Sequence, residues 1–486
     1  MKFRIISKTA LMLLLSGSLA FGQDQTVGET WSLEECINYA WEHNLTVRNS
    51  ELNQLGNEIN LKQAQWALAP NLNAGGSLGK SFGRTIDPVT NRFVSRDFLS
   101  GGISANANVT LYQGGMMRNT IKQNKVDLEA SQYDLEKTKN DIGLNVATNY
   151  LNVLLNREQL ANAEFQLEVT KEQLERTKKL VAAGSLPLSN ELDLESQVAS
   201  NEVSVVNAEN NLSISILNLK QSMQMPAHED LEIEIPDLEV EGVTIAVTDA
   251  DEIYSIALTT QPEVRSAELG VESSEIGVKI SKSGYLPTLS LGGSLSTNYS
   301  DQAVEITGSQ DINVPSAPIG FVQGSGATVL SNPSTVNVPT TNEDYAWNDQ
   351  LNDNLGQSVR VNLNIPIFNR LATKSSVQRA EIQKQRAEIT AENTRNTLRQ
   401  NVETAHTNAV ASYKSYEASL KRVEALEETF RATEQRYNVG TAHFTDYQVA
   451  SNNLFAARAA LTQSKYSFIF RVKILDFYLG NPITLD

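Results

Sequence analysis

Residue types that could carry chemistry are few and scattered in this chain of 486 residues. Its four histidines, His43, His228, His406 and His443, stand singly and do not form a metal-binding spacing such as His-Glu-x-x-His. The sequence also lacks a glycine-rich phosphate loop and a nucleophile elbow. We therefore predict a protein that is not an enzyme and that has no catalytic residues, no metal site and no cofactor.

Sulfur-containing residues give a second set of candidates. Met116 with Met117, and Met223 with Met225, offer soft ligands that would suit metal export, but packing at helix ends explains them better. The single cysteine, Cys36, excludes a disulfide within one chain. Because Cys36 lies in an amphipathic helical segment, we predict a buried thiol.

The first residues have the pattern of a secretory signal. Lys2, Arg4 and Lys8 precede a short apolar stretch, and Ala20 and Gly22 form a small-residue cleavage site. We predict a signal peptide at residues 1–22 and export of the remainder. No cysteine lies near the cleavage site, so a lipid anchor is not expected.

Charge and hydropathy limit the partners and the way in which the chain could cross a membrane. The formal net charge of −17 should repel nucleic acid, and it fits either a solvated acidic surface or a cation-selective lumen. After the signal, no run of about 18 apolar residues appears that could form a transmembrane helix. If the exported protein spans a membrane, a closed β-barrel is the remaining option.

The sequence contains an internal duplication. Leu68–Leu78 aligns with Tyr285–Leu295 at an offset of 217, including a shared Gly-Gly-Ser-Leu quartet. Val109–Pro226 aligns with the second half at an offset of 256, which implies a 39-residue insertion between Ser296 and Gln357. We predict two repeats, at residues 23–247 and 248–486. Each has a short helix, two strands, a very long helix, a glycine turn, and a return helix.

Heptad patterns predict the long helices. No proline interrupts Met116–Ala183, and apolar residues recur there every seven positions. About 68 residues correspond to a coiled-coil helix roughly 100 Å long. We predict that the two long helices end at Gly184 and Gly440, and that the return helices begin at Ser189 and at Thr445 or Asp446.

Alternating residues predict the strands. Ser100–Tyr112, Thr288–Ser296 and Ser358–Phe368 alternate apolar and polar side chains over about ten residues, the length of a tilted membrane strand. A soluble sheet with one wet face is the alternative. Four strands cannot close a barrel, whereas a dimer would supply eight and a trimer twelve. A conducting pore favours the trimer, because eight strands leave a filled interior. We predict that residues 79–99 and 297–356 form polar loops that face outward.

Several motifs together carry a family resemblance. They are the Leu-x-Pro-x-Leu segments at Pro70 and Pro287, Leu111-Tyr-Gln-Gly-Gly115 with its partner Pro366-Ile-Phe368, and Tyr437-Asn-Val-Gly-Thr…Asp446. With the duplication, this order resembles the TolC-like outer-membrane efflux family over nearly the whole exported chain.

The resemblance implies a mixed α and transmembrane β fold, a homotrimer whose twelve-stranded β-barrel continues into an α-helical coiled-coil barrel. It implies an outer-membrane channel of a tripartite efflux or secretion system, in contact with outer-membrane lipid and extending into the periplasm. The implied partners are a periplasmic adaptor and an inner-membrane pump of RND or ABC type.

The resemblance also implies site residues at the tunnel tip. Gate candidates are Asp446, Asn190, Ser189 and Thr445. Adaptor-contacting hairpin residues are Gly184, Ser185, Leu186, Val439, Gly440, Thr441 and Ala442. Val449 stands where the family has a second gate aspartate, and Ala442 where it has a tip arginine, so we expect a less charged gate.

Two other functions are considered. A structural coiled-coil protein without a pore would explain the heptads but neither the barrel-length strands nor the duplication. A periplasmic adaptor would need a carrier-like β-domain, and the sequence contains none that we can recognise. The sequence does not identify the cargo, because in such systems the pump selects it.

Overall fold

The computed structural model describes residues 30–484, apart from residues 88, 90, 96, 237–248 and 343. The predicted signal peptide at 1–22 and the predicted division between the repeats at 247–248 lie outside the described residues.

Helices account for most of the described chain. In order they are α1 Leu33–His43, α2 Leu45–Trp66, α3 Met116–Ala182, α4 Leu188–Met223, α5 Ala250–Thr260, α6 Pro262–Lys282, α7 Trp347–Asp353, α8 Ala372–Asn438 and α9 Phe444–Tyr478. The two longest, α3 and α8, each have 67 residues, in agreement with the heptad prediction. Within the described residues, none of these helices has the length and hydropathy that crossing a membrane would require.

Among the described residues, the strands form one four-stranded sheet and three two-stranded sheets. They are β1 Asn71–Ser81, β2 Thr85–Ile86, β3 Phe93–Val94, β4 Phe98–Gln113, β5 Thr288–Ser300, β6 Glu305–Val314, β7 Pro318–Phe321, β8 Thr328–Leu330, β9 Ser334–Asn342 and β10 Gly356–Asn364. The larger sheet has the order β1-β4-β5-β10, and all its pairs are antiparallel. The strands of this sheet confirm the predicted alternating segments, with ends shifted by a few residues.

The duplication is visible in the positions of the elements. Helices α1 and α5 begin at Leu33 and Ala250, and strands β1 and β5 begin at Asn71 and Thr288, which is the offset of 217 in both cases. Helices α3 and α8 begin at Met116 and Ala372, which is the offset of 256. The predicted internal duplication is thus confirmed at the level of single elements.

The chain forms two compact units, and each unit takes segments from both repeats. The first contains the described residues of Met1–Leu45, Lys139–Ala250 and Thr404–Asp486. The second contains those of Thr46–Thr138 and Asp251–Glu403. The long helices α3 and α8 therefore each supply residues to both units.

A buried cluster in the first unit forms around Tyr150 of α3. Its hydroxyl lies 3.0 Å from the Trp31 carbonyl oxygen and 2.8 Å from that of Glu234. In the same cluster, Trp31 and Ile233 form a single parallel bridge. Cys36 packs in the same cluster with no exposed surface, which confirms the buried thiol, and burial raises the pKa of this thiol to about 12.

In the second unit, α6 packs against α3 and α8. Val126 of α3 is buried with Leu269 and Ile276 of α6. Exposed ion pairs flank these contacts, with 2.9 Å between Lys384 Nζ and Glu275 Oε1. Such surface pairs contribute little to stability, so the apolar contacts hold α3 and α6 together.

The predicted loop at 297–356 contains regular structure that the sequence analysis missed. Strands β6 and β9 form a hairpin ribbon, β7 and β8 pair beyond it, and α7 follows. On the ribbon, Ile312 and Val336 are directly opposite each other, and so are the polar Asp311 and Asn337. Its short strands, interrupted by proline and glycine, gave a weak alternating signal.

Candidate functional site

Two tight turns, at Gly184 and Gly440, connect the long helices to the return helices. Each glycine has a positive φ, +73° and +76° respectively. In the first turn the Ser185 amide donates to the Leu180 carbonyl, and in the second the Thr441 amide donates to the Arg436 carbonyl. With the bonds from the glycine amides, these contacts form Schellman motifs that satisfy the last carbonyl groups of α3 and α8. The predicted helix ends are confirmed.

We expect Gly440→Ala to destabilise the second turn by about 1–2 kcal/mol, because a side chain at positive φ is strained. No atom lies within 4 Å of an added Cβ at Gly440, so the effect would come from the backbone alone. Gly56→Ala is the matched control. Gly56 lies inside α2 in equally open space, and there alanine should stabilise the helix by up to about 1 kcal/mol. Guanidinium denaturation of the detergent-solubilised protein measures the stability change of both variants. Equal effects of the same sign would contradict the conclusion that the turn needs a glycine at position 440.

The starts of the return helices differ from the prediction. Helix α4 begins at Leu188 after Pro187, and α9 begins at Phe444 after His443. Neither Ser189 nor Thr445 is the capping residue, because each lies one residue inside its helix. A capping box closes the start of α9, in which Asp446 accepts a hydrogen bond from the His443 amide at 3.2 Å. Histidine is not among the usual capping residues, so the sequence gave no signal for it.

An aromatic cluster lies beside these turns. Leu174 and Leu194 are buried with Phe444 and Tyr447, so residues of α3, α4 and α9 meet there. The Tyr437 ring of α8 stacks on Tyr447 at 5.1 Å between ring centroids. Burial raises the pKa of Tyr447 to about 12. The cluster therefore brings α3, α4, α8 and α9 into contact beside the two predicted turns.

A chain of polar side chains links three helices near the same cluster. Gln448 of α9 donates to Gln197 of α4 at 3.5 Å, and Gln197 donates to Asn201 at 2.9 Å. The buried Asn201 in turn donates to Thr170 of α3 at 2.9 Å. The sequence analysis missed these residues, since polar residues in heptad helices are normally read as solvent-facing.

The predicted hairpin residues are mostly accessible. Gly184, Ser185, Val439, Gly440 and Thr441 are exposed, whereas Leu186 and Ala442 are half-buried. Among the gate candidates Ser189, Thr445 and Asp446 are exposed, and Asn190 is half-buried. The Asp446 carboxylate bonds to the start of its own helix.

The four-stranded sheet has one apolar and one polar face. In register across the strands, Ala105 of β4 lies between Ala74 of β1 and Leu295 of β5, and Val359 and Val361 of β10 share that face. The next residue, Asn106, lies between Asn73 and Ser294 on the other face. Within the described residues, this apolar face is open along β10, where Val359 is 80% exposed. This pattern is typical of strands with lipid on one side and water on the other.

Within the described residues, no group of three or more histidine, cysteine, aspartate or glutamate side chains could hold a metal ion. The combination of an amphipathic sheet with long helix hairpins and tight turns is typical of a membrane transport protein.

The family is shown directly by sequence. The model of the family described as "outer membrane efflux protein" matches residues 36–223 and 253–481. The chain therefore belongs to the outer membrane efflux protein family, and the family domain occurs in it twice. It is an outer-membrane efflux channel with a helical part in the periplasm. Family membership confirms the predicted location, transport function and non-enzymatic character, and it makes the alternative of a poreless structural protein wrong.

Solved structures share the fold. The chain is similar to CusC, from crystal structures concerned with folding and transmembrane channel formation, with 16% identity, a TM-score of 0.73, and coverage of 94% of this chain and 96% of that one. The outer membrane channel CmeC of Campylobacter jejuni is 16% identical, with a TM-score of 0.71, and the match covers 92% of this chain and 85% of CmeC. The open state of the outer membrane channel MtrE of Neisseria gonorrhoeae is 18% identical, with a TM-score of 0.69, and the match covers 94% of this chain and 90% of MtrE. No curated protein matches this sequence.

Proposed function

We propose that three copies of this chain close their sheets into one twelve-stranded barrel that conducts substrates across the outer membrane. The observation that carries this proposal is the four-stranded sheet. Strands β1 and β10 each pair with one neighbour, so within the described chain both edges of the sheet are open. Open edges cannot face lipid, because their backbone groups would lack hydrogen-bond partners there. Pairing of β1 in one copy with β10 in the next satisfies those groups and leaves the apolar face toward lipid.

The helices supply the periplasmic part of the conduit. Each repeat provides one 67-residue helix and shorter helices before and after its strands. Three copies then assemble a coiled-coil barrel of long helices that continues from the β-barrel. The heptad pattern supports this assembly, because such repeats bury apolar residues against neighbouring helices.

The helix hairpin turns are the contact surface for a periplasmic adaptor, which connects the channel to an inner-membrane pump of RND or ABC type. The exposed Val439 supports this role, because it presents 73% of its surface beside Gly440. The acidic chain does not bind nucleic acid. The other hairpin residues, Gly184, Ser185, Leu186, Thr441 and Ala442, complete the adaptor-contacting surface.

The same helix ends form the gate. Asp446, Thr445, Ser189 and Asn190 surround the entrance in the closed trimer. Opening requires the polar contacts between helices, such as that between Asn201 and Thr170, to exchange for contacts with water. Breaking such contacts costs the least free energy at helix ends, so the opening motion concentrates there.

Asp446 is expected to act on ion flow through its charge and on helix stability through its hydrogen bond to His443. We expect Asp446→Ala to change single-channel conductance or cation sensitivity and also to cost about 1 kcal/mol of stability through loss of the cap. Asp446→Asn is the matched control, since asparagine keeps an acceptor for the amide but removes the charge. Planar bilayer recordings and denaturation measure the two effects. Unchanged currents in both variants would remove Asp446 from the gate.

Reconstitution of the purified protein tests the proposed function. In planar bilayers we expect discrete conductance steps, and mass measurement in detergent should give a trimer. Cross-linking from a cysteine at Val439 should capture an adaptor in cells, whereas one at the exposed Asn53 of α2 should not. A detergent-independent monomer without conductance would refute the proposal.

A further inference from the structure

The four-stranded sheet carries two charged residues, and both are basic. They are Lys80 in β1 and Arg360 in β10, and β4 and β5 contain neither acidic nor basic residues. The strand register places them on opposite faces. Lys80 is opposite Leu99, at the end of β1 that precedes the first polar loop. Arg360 is opposite Gly292, in the middle of β10.

Arg360 lies on the polar face. Its neighbours two residues away on the same strand are Ser358 and Asn362, and Ser358 is bonded through its hydroxyl to Ser294 of β5 at 2.8 Å. Val359 and Val361, on either side of Arg360 in the chain, point to the apolar face with Leu291 and Gly293 in register. The guanidinium group therefore belongs to the surface of asparagine and serine side chains that faces water.

No carboxylate neutralises Arg360 within the described part of the chain. The ion pairs found there join helical residues, and no hydrogen bond from the Arg360 side chain is observed. Arg360 is exposed, and the residue opposite it is a glycine without a side chain. Its positive charge is thus free to act on ions in the adjacent water.

We propose that Arg360 is a selectivity-determining residue that makes the β-barrel section of the channel favour anions. This inference rests on the proposed trimeric barrel, in which three copies of Arg360 form one ring on the lumen side. A low-dielectric wall focuses the field of such charges into the lumen and raises the local concentration of anions. The proposal opposes the simplest interpretation of the net charge of −17, which would be a cation-selective lumen. Net charge sums the whole surface, whereas permeation depends on the charges that line the path.

The experiment compares Arg360→Gln with Lys80→Gln in planar bilayers under a KCl gradient. Both variants lose one positive charge from the same sheet, but on opposite faces. The reversal potential should show that Arg360→Gln lowers the chloride-to-potassium permeability ratio by about sevenfold, because a potential of about one kT enriches chloride and depletes potassium by about 2.7-fold each. Lys80→Gln should leave the ratio unchanged, and Arg360→Lys should preserve it.

A second measurement needs no variant. The chloride preference of the wild-type channel should weaken between 0.1 M and 1 M KCl, because the Debye length falls from about 10 Å to about 3 Å. A channel whose permeability ratio is unaffected by Arg360→Gln, or equally affected by Lys80→Gln, overturns this inference and leaves the proposed function intact. A wild-type protein that forms no channel overturns both.

Discussion

Ala105→Arg should prevent most of the protein from assembling in the outer membrane. Ala105 lies in the middle of β4, on the apolar face of the sheet between Ala74 and Leu295. An arginine on the lipid face of a barrel near the bilayer midplane costs about 2–4 kcal/mol. This cost applies to each chain, so the proposed trimer bears it three times. The yield of this trimer in isolated outer membranes, measured by gel electrophoresis without boiling, should fall by at least tenfold.

Asn106→Arg is the control for this prediction. The residue is adjacent in sequence, but it lies on the polar face between Asn73 and Ser294, where a long charged side chain reaches water. We expect the trimer yield to remain within about twofold of wild type. If the two variants assembled equally well, or if Asn106→Arg were the more harmful, the assignment of the two faces would be wrong.

Tyr150→Ala should cause the largest loss of stability in the first compact unit. The Tyr150 side chain is 1% exposed and packs in the cluster that contains Cys36 and Ile233. Truncation of a buried aromatic ring costs about 3–5 kcal/mol through lost transfer energy and the cavity left behind. The variant also leaves the Glu234 carbonyl without the hydroxyl that lies 2.8 Å away. Guanidinium denaturation in detergent, followed by tryptophan fluorescence, should show a lower midpoint.

The duplication supplies the matched control for Tyr150. At the offset of 256, its counterpart in the second repeat is His406, which is half-buried in α8. His406→Ala should cost less than about 1 kcal/mol, in the range of partly exposed substitutions. Tyr150→Phe keeps the ring and removes the hydroxyl, so it should cost about 1 kcal/mol. Comparable losses for Tyr150→Ala and His406→Ala would show that this cluster does not hold the unit together.

Much of the fold is predictable because its signals are local and periodic. The end of α3 at Ala182 follows from a long heptad pattern without proline and the glycine turn that closes it. The alternation around Ala105 predicts the two faces of β4, since successive side chains of a strand point to opposite sides. The strand itself, at 16 residues, is longer than the predicted segment Ser100–Tyr112. The duplication makes the prediction of each element more secure, because the same pattern occurs twice in the sequence.

Other features depend on which elements meet, and the sequence does not specify that. His443 as a capping residue, the ribbon of β6 and β9, and the polar chain from Gln448 to Thr170 all escaped prediction. Each depends on geometry or on residues distant in sequence. Asn201 and Thr170, for example, are 31 positions apart and meet through the turn at Gly184.

The sequence by itself determined the class of fold, the duplication and the two faces of the sheet, because hydrophobic periodicity and glycine placement act over a few residues. The tertiary structure alone decided the strand order β1-β4-β5-β10, the register that sets Arg360 opposite Gly292, and the burial of Tyr150. These depend on hydrogen bonds and packing between residues far apart in the chain, whose pairing no local pattern encodes.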